Sequence, residues 1–155
     1  MKWTQALSNG ASLLAAALAF AACATMGGPI PISITGAQEV PPVSTSANGS
    51  GSISVKEDRT VTGSFKTQGV NVLAAHIHQA PAGQNGPVII PLTKVSDTEW
   101  KVPDGAKLTD AQYDAFQKGQ LYVNFHSAQN KGGEIRGQIN AGGGASAPRS
   151  TGSGY

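Results

Sequence analysis

Short runs of β-favouring residues, each closed by a turn, recur along the middle of the chain. Residues 32–35 and 52–55 alternate apolar and polar side chains with the period of two that buries one face of a strand. Similar runs follow at 61–66, 70–78, 88–90, 99–102, 121–126 and 134–139. With 20 glycines and 9 prolines among 155 residues supplying turns, this spacing predicts an all-β sandwich or barrel.

One segment breaks the strand pattern. Thr109 and Gln112 have the spacing of a capping box, in which the two residues exchange hydrogen bonds at the start of a helix. Leu108 and Tyr113 flank the cap as a hydrophobic staple, and Gly119 is a natural stop. The sequence therefore predicts one short helix, at about 109–118, across one end of the sandwich.

The first 22 residues have the pattern of a secretory signal. A single Lys2 precedes an apolar run at 11–22 that is about 12 residues long, whereas a membrane span needs about 20. The stretch 18–23, LAFAAC, resembles a bacterial lipoprotein signal, in which Cys23 is lipidated and becomes the first residue of the mature chain. Phe20 departs from the leucine usual three residues before the cysteine. The alternative is an ordinary secretory signal with an incidental cysteine.

This resemblance and the composition of the rest divide the chain into a lipoprotein signal peptide at 1–22, a tether at 23–31, a folded domain at 32–140 and a flexible Gly/Ser-rich tail at 141–155. A lipid on Cys23 implies an extracytoplasmic protein attached to a membrane. Ala24 after the cysteine fits sorting to the outer membrane, facing the periplasm, if the cell is Gram-negative.

Charge and cysteine content exclude several classes of protein. Eleven Lys and Arg against nine Asp and Glu give a formal net charge of +2, too small an excess for neutralising phosphates, so no nucleic-acid partner is expected. One cysteine forms neither an internal disulfide nor a cysteine-rich zinc site. A protein partner is possible, and the sequence does not identify it.

His76, His78 and His126 are all the histidines of the chain. Residues two apart on a strand share a face. The more apolar set of each strand is expected to face the core, with Leu73, Ala75 and Ile77 on the first strand and Leu121, Val123 and Phe125 on the second. If the two strands are neighbours, all three imidazoles lie together on the opposite, outer face, beside Val72, Ala74, Tyr122 and Asn124.

Three imidazoles on one face predict a metal site. Imidazole suits copper and zinc, whose affinities usually exceed those of other divalent first-row metals, and copper is the favoured metal. Three ligands also leave a coordination position open. Tyr122 and Asn124 are candidates to orient the ligands. The alternative is that the histidines are polar outer-face residues held in hydrogen bonds, with His78 capping the loop that follows it.

Glu39, Glu134 and Arg136 are predicted to have structural roles. Each acid orders a turn or pairs with Arg136, and Arg136 fastens the last strand to a neighbouring turn because its fork of donors can satisfy several carbonyls. The sequence has neither a Gly-x-Ser-x-Gly elbow nor a phosphate-binding glycine loop before a helix, so no catalytic residue is predicted.

A series of motifs, in order, resembles the CHRD domain, a module named after chordin and found in many bacterial secreted proteins. The motifs are GAQEVPPV at 36–43, GSG at 49–51, AHIHQAP at 75–81, GPV at 86–88, GQLYVNFHS at 119–127 and GGEIRGQI at 132–139. Gln79 stands where glycine is common after His-Ile-His. The resemblance implies an all-β, immunoglobulin-like antiparallel sandwich in an extracytoplasmic setting, and it does not assign a function.

Three functions remain open. The favoured one is a lipid-anchored CHRD-domain protein, not an enzyme, that binds copper through its histidines. The first alternative is a surface interaction or structural module without a metal. The second is a mononuclear copper enzyme, because His-x-His with a later strand histidine is similar to Cu,Zn superoxide dismutase, although its two-metal site needs more histidines than this chain has.

Overall fold

Nine strands and one α-helix make up the fold in the computed structural model, which describes residues 28–141. The strands are β1 Ile30–Thr35, β2 Asn48–Val55, β3 Val61–Gln68, β4 Ala74–Gln79, β5 Val88–Pro91, β6 Thr93–Lys94, β7 Glu99–Lys101, β8 Leu121–His126 and β9 Ile135–Ile139. The helix is α1 Asp110–Gln117, and a turn of 3-10 helix follows β1 at Gly36–Gln38. The all-β class with one short helix is confirmed.

The ends of the chain lie outside this description. The predicted signal peptide at 1–22, Cys23 and residues 142–155 of the predicted tail are outside the described residues. Within the described range, no helix has both the length and the apolar character that crossing a membrane requires. The first strand begins at Ile30, two residues before the predicted start of the domain, and Pro31 is tolerated near the start of a strand.

The strands form one antiparallel sheet in the order β5-β4-β8-β9-β1-β2-β3-β7-β6. β1 pairs with β2 along its whole length but meets β9 only where Thr35 faces Arg136. The sheet therefore has two halves joined at that pair. Its two end strands, β5 and β6, are separated in the chain by Leu92 alone. The sheet consequently curls until its ends nearly meet, and the result is close to a barrel.

Apolar side chains of the two halves meet in the core between them. The rings of Phe65 on β3 and Phe125 on β8 contact each other edge to face, with 5.9 Å between centroids. Ile34 and Ile53 enter the core from one half, and Ile77 enters it from the other. Full burial of each such side chain contributes about 1.5–3 kcal/mol relative to its exposure. This two-layer packing supports the predicted β-sandwich.

The predicted strand at 70–78 is shorter in the structure, since β4 begins at Ala74. Ala75 and Ile77 face the core as expected. The expected faces of Val72 and Leu73 are wrong: Val72 is buried and Leu73 is 61% exposed. Residues before Ala74 are not part of the strand, so its alternation does not extend to them. The two-residue strand β6 was not predicted, because two residues are too few to show a period.

The helix follows the capping-box prediction. The Gln112 backbone N–H donates to Thr109 Oγ1 at 3.2 Å, and the Thr109 N–H donates to Gln112 Oε1 at 2.9 Å. Ala115 and Phe116 are buried, which fixes the helix against the rest of the domain. Gly119 follows with a φ of +67°, a conformation that glycine adopts without strain.

Replacing Thr109 tests whether the capping box stabilises the helix. We expect Thr109→Ala to lower the free energy of unfolding by about 1 kcal/mol, because it removes the oxygen that accepts from Gln112. Thr109→Ser keeps that oxygen and serves as the control, with a much smaller loss. Urea unfolding of the three proteins measures both. Equal losses in the two variants would show that packing of the threonine methyl group, not the cap, is responsible.

Candidate metal centre

The pairing of β4 with β8 brings the three histidines together. Across these strands His76 lies opposite Asn124, His78 opposite Tyr122, and Ala74 opposite His126. All these side chains lie on the face opposite to that of Ala75 and Ile77, which is buried in the core. One ring nitrogen of each histidine lies within 4.8 Å of those of the other two.

Two backbone carbonyls determine which nitrogens of the cluster are free. His78 Nδ1 lies 3.0 Å from the Gly86 carbonyl oxygen, and His126 Nδ1 lies 2.9 Å from that of Lys131. A carbonyl oxygen only accepts, so both Nδ1 atoms carry the proton and donate it. In each neutral ring the lone pair is therefore on Nε2. A carbonyl on the far nitrogen is the usual support of a metal-binding histidine.

The remaining nitrogens lie close to one another. His76 Nδ1 is 3.1 Å from His126 Nε2, which is an acceptor, so His76 donates to it. Two nitrogens bound to one tetrahedral metal at 2.0–2.1 Å lie about 3.3–3.4 Å apart, close to this spacing. His78 Nε2 is buried and has no hydrogen-bond partner. A buried lone pair without a donor is a free-energy cost that a bound cation removes.

The surroundings keep two of the rings neutral. Burial lowers the pKa of His76, and the neighbouring His126 and His78 lower it further. Burial is also the main cause that lowers the pKa of His78, with His126 and Arg136 adding to it against the hydrogen bond to Gly86. Metal binding requires neutral imidazole, so a lowered pKa leaves the lone pairs available at neutral pH.

Tyr122 holds His78 in place. Its ring is stacked on that of His78, with 4.8 Å between centroids and 9° between planes, and Arg136 Cζ lies 3.4 Å from the Tyr122 ring centroid. Its hydroxyl accepts from the Gly86 N–H at 3.1 Å. Gly86 thus contacts both rings, and a Cβ there would collide with the backbone of Gln79.

Arg136 joins β9 to the loop between β4 and β5. Its guanidinium donates to the carbonyl oxygens of Gln84 at 2.9 Å and Pro81 at 3.4 Å, to Asn85 Oδ1 at 3.4 Å and to Gln138 Oε1 at 2.9 Å. The side chain is almost fully buried. Several partners for one planar fork account for its burial, since a buried charge without partners is strongly destabilising.

Glu39 and Asn124 form a second buried polar pair on this face. Asn124 Nδ2 donates to Glu39 Oε2 at 3.3 Å, and both residues are buried. Burial raises the pKa of Glu39 to about 7, although Arg136, Asn124 and the Val40 backbone oppose the rise. Asn124 in turn faces His76 across the sheet. Asn124 therefore connects Glu39 to the histidine cluster.

Glu134 has a different environment. Its Oε1 accepts from Thr45 Oγ1 at 3.0 Å. Hydrogen bonds from Ser127, Thr45 and Asn130 lower its pKa against the effect of burial. The carboxylate thus connects the loop before β2 with the loop before β9.

Loops partly cover the histidine face: His78 is buried, whereas His76 and His126 are partly exposed. Loops at 36–47 and 79–87 contribute contacts to it, and Gln138 is nine-tenths buried there, donating to the carbonyls of Ala80 and Gly119. Gln138, Gly86 and Gly133 also shape this face, and none of them was predicted as a site residue. Gln138 could have been predicted, because it and Arg136 alternate on β9 and therefore share a polar face. No pattern in the sequence identifies Gly86 or Gly133.

The fold and the site define a small all-β domain with a three-histidine cluster on one face of its sheet. The model of the CHRD domain family matches residues 30–139, and the chain belongs to this family. No curated protein and no solved structure is significantly similar to the chain.

Replacing Gly133 tests the packing of Asn124 and Glu39 next to the histidine cluster. Its φ is +136°, and a Cβ would collide with Asn124 and Glu39 Oε1. We expect Gly133→Ala to lower the free energy of unfolding by at least about 1–3 kcal/mol, the range of backbone strain alone. Gly132→Ala is the control, since nothing lies within 4 Å of a Cβ there. Urea unfolding that shows equal effects would contradict this packing.

Proposed function

We propose that this domain binds a transition-metal ion, copper in preference to zinc, through His76, His78 and His126. The observation that carries the proposal is the lone pair of His78 Nε2, buried without a partner within a cluster of three ring nitrogens. A metal ion would give that lone pair a partner. The cluster would use Nε2 of His78 and His126, because each Nδ1 is committed to a carbonyl.

The contacts of the rings support a prearranged site. Hydrogen bonds to Gly86 and Lys131 fix the orientation and tautomer of two ligands before the ion arrives. His76 would carry its proton on Nε2 instead of Nδ1, and its Nδ1 lone pair would then be the third ligand. Nitrogen separations of up to 4.8 Å would close by about 1.5 Å, through side-chain rotations, for all three nitrogens to form bonds of 2.0–2.1 Å to one ion. Copper lies above zinc in affinity for nitrogen ligands.

The proposal is for a binding protein that is held outside the cytoplasm by a lipid on Cys23. The signal pattern before Cys23 supports the anchor. A module that uses the same face without a metal is the competing function, and the metal titration below separates the two.

Metal titration of the full-length protein is the direct test. We expect copper to bind with one equivalent per chain and to raise the melting temperature, because it binds the native state. His76→Ala, His78→Ala and His126→Ala should each weaken copper binding by more than about 100-fold, beyond the 10–100-fold typical of losing an outer partner of a ligand. Calorimetry and competition with a chromogenic chelator measure the affinities.

The control is Gln79→Ala, which removes a neighbouring side chain of β4 and leaves every histidine in place. It should bind copper as the wild-type protein does. Unchanged affinity in all three histidine variants, with no rise of the melting temperature, would overturn the site and favour the metal-free module. Zinc binding more tightly than copper would overturn the choice of metal alone.

Fractionation tests the anchor. We expect the wild-type protein to partition with membranes and to incorporate radiolabelled fatty acid in a bacterial host that secretes lipoproteins. Cys23→Ser removes the thiol that receives the lipid and should move the protein to the soluble extracytoplasmic fraction. Ala24→Ser, next to it, should leave both properties unchanged. Wild-type protein without label and without membrane association would contradict lipidation.

A further inference from the structure

Two buried oxygen atoms on the histidine face accept no hydrogen bond. They are Glu39 Oε1 and Asn124 Oδ1, which belong to the pair already joined by the bond from Asn124 Nδ2 to Glu39 Oε2. Both border the same small space, since a Cβ on Gly133 would contact each of them. Two adjacent acceptors without a donor are unfavourable for both groups.

A cation, a water molecule or a proton could satisfy these two oxygens. A cation is disfavoured, because Arg136 already places a positive charge next to Glu39. A water molecule needs room for itself and two or more polar partners, and the backbone of Gly133 closes in on this space. A proton needs no additional room and is the simplest donor that satisfies both oxygens.

We infer that Glu39 is a proton-binding site, with its carboxylic acid hydrogen donated from Oε1 to Asn124 Oδ1. The two side chains then form a closed acid–amide pair with two hydrogen bonds in opposite directions. One runs from Asn124 Nδ2 to Glu39 Oε2, as observed, and the other runs back from the Glu39 hydroxyl. None of the hydrogen bonds within this pair involves a histidine.

The charges around Glu39 agree with this assignment. Burial raises the pKa of its carboxyl to about 7, so the acid form is well populated at and below neutral pH. Arg136 on β9 is the charged group that acts against this rise, and Asn124 on β8 and the Val40 backbone are uncharged. The other titratable groups on this face are Tyr122 and the three histidines of β4 and β8.

The inference gives Glu39 a positioning role. Asn124 lies between Tyr122 and His126 on one face of β8 and opposite His76 on β4. Two hydrogen bonds to the same carboxyl group fix both ends of its amide, so the acid–amide pair orients the middle of the face. A deprotonated Glu39 can hold only the amide nitrogen and leaves the amide oxygen without a donor.

The pH dependence of stability tests the proton site. The carboxyl has a pKa of about 7 in the folded protein against 4.5 in its unperturbed state. Its stabilising effect is therefore complete below about 4.5 and is lost as the pH rises to about 7. Glu39→Gln keeps both hydrogen bonds at every pH, because its amide both accepts and donates.

We expect the melting temperature of full-length Glu39→Gln, minus that of the wild type, to increase steadily from about pH 5 to about pH 7 and then level off. Contributions of the histidines are common to both proteins and cancel in this difference. Glu134→Gln is the matched control, since hydrogen bonds lower the pKa of that buried carboxyl. Its difference from the wild type should stay constant over the same range.

Infrared spectroscopy of the wild-type protein provides a measurement that does not depend on a variant. A protonated carboxylic acid band should be present near pH 6 and absent near pH 9, and carbon-13 labelling of glutamate should shift it. Where Glu39→Gln folds, the band should be missing from it at both pH values. Absence of the band in the wild type, or a melting-temperature difference that does not change with pH, would overturn the inference in favour of a water bridge to ionised Glu39.

Discussion

The antiparallel pairing of β4 with β8 is the interaction on which the rest of the domain depends. One face of this pair supplies Ala75, Ile77 and Phe125 to the apolar core. The other face carries all three histidines. A shift of one residue in register would exchange the two faces, so the hydrophobic core itself fixes where the imidazoles lie. The free energy of core packing therefore maintains the geometry of a polar site that contributes little to the core.

The polar face is organised as a second, smaller interior. Tyr122 stacks on His78 and lies under Arg136, whose donors reach the loop at 81–85. Gly86 in the same region contacts both His78 and Tyr122. A substitution in this loop would therefore act on the histidine cluster through two hydrogen bonds and a stacked ring. A planar guanidinium suits this task, since its donors are preorganised and less entropy is lost for each hydrogen bond that it forms.

Local patterns in the sequence predict the parts of the fold that depend on neighbouring residues. Alternation along 121–126 predicts β8 with the bounds that it has in the structure, and the spacing of Thr109 and Gln112 predicts the start of α1. The covering of the histidine face could not be predicted in this way. Glu39 meets Asn124 across 85 positions of the chain, and irregular loops bring such residues together without any period. The burial of Glu39, and hence its raised pKa, follows only from the three-dimensional arrangement.

The near closure of the sheet also affects how copies of this domain meet one another. An open sheet exposes a row of unpaired backbone groups at each end, where another molecule can add a strand. Here those ends are β5 with four residues and β6 with two, and both are bounded by the same short connection at Leu92. Each end thus offers too short a template for extended pairing. The curvature that encloses the core also protects the protein against edge-to-edge aggregation at high local concentration.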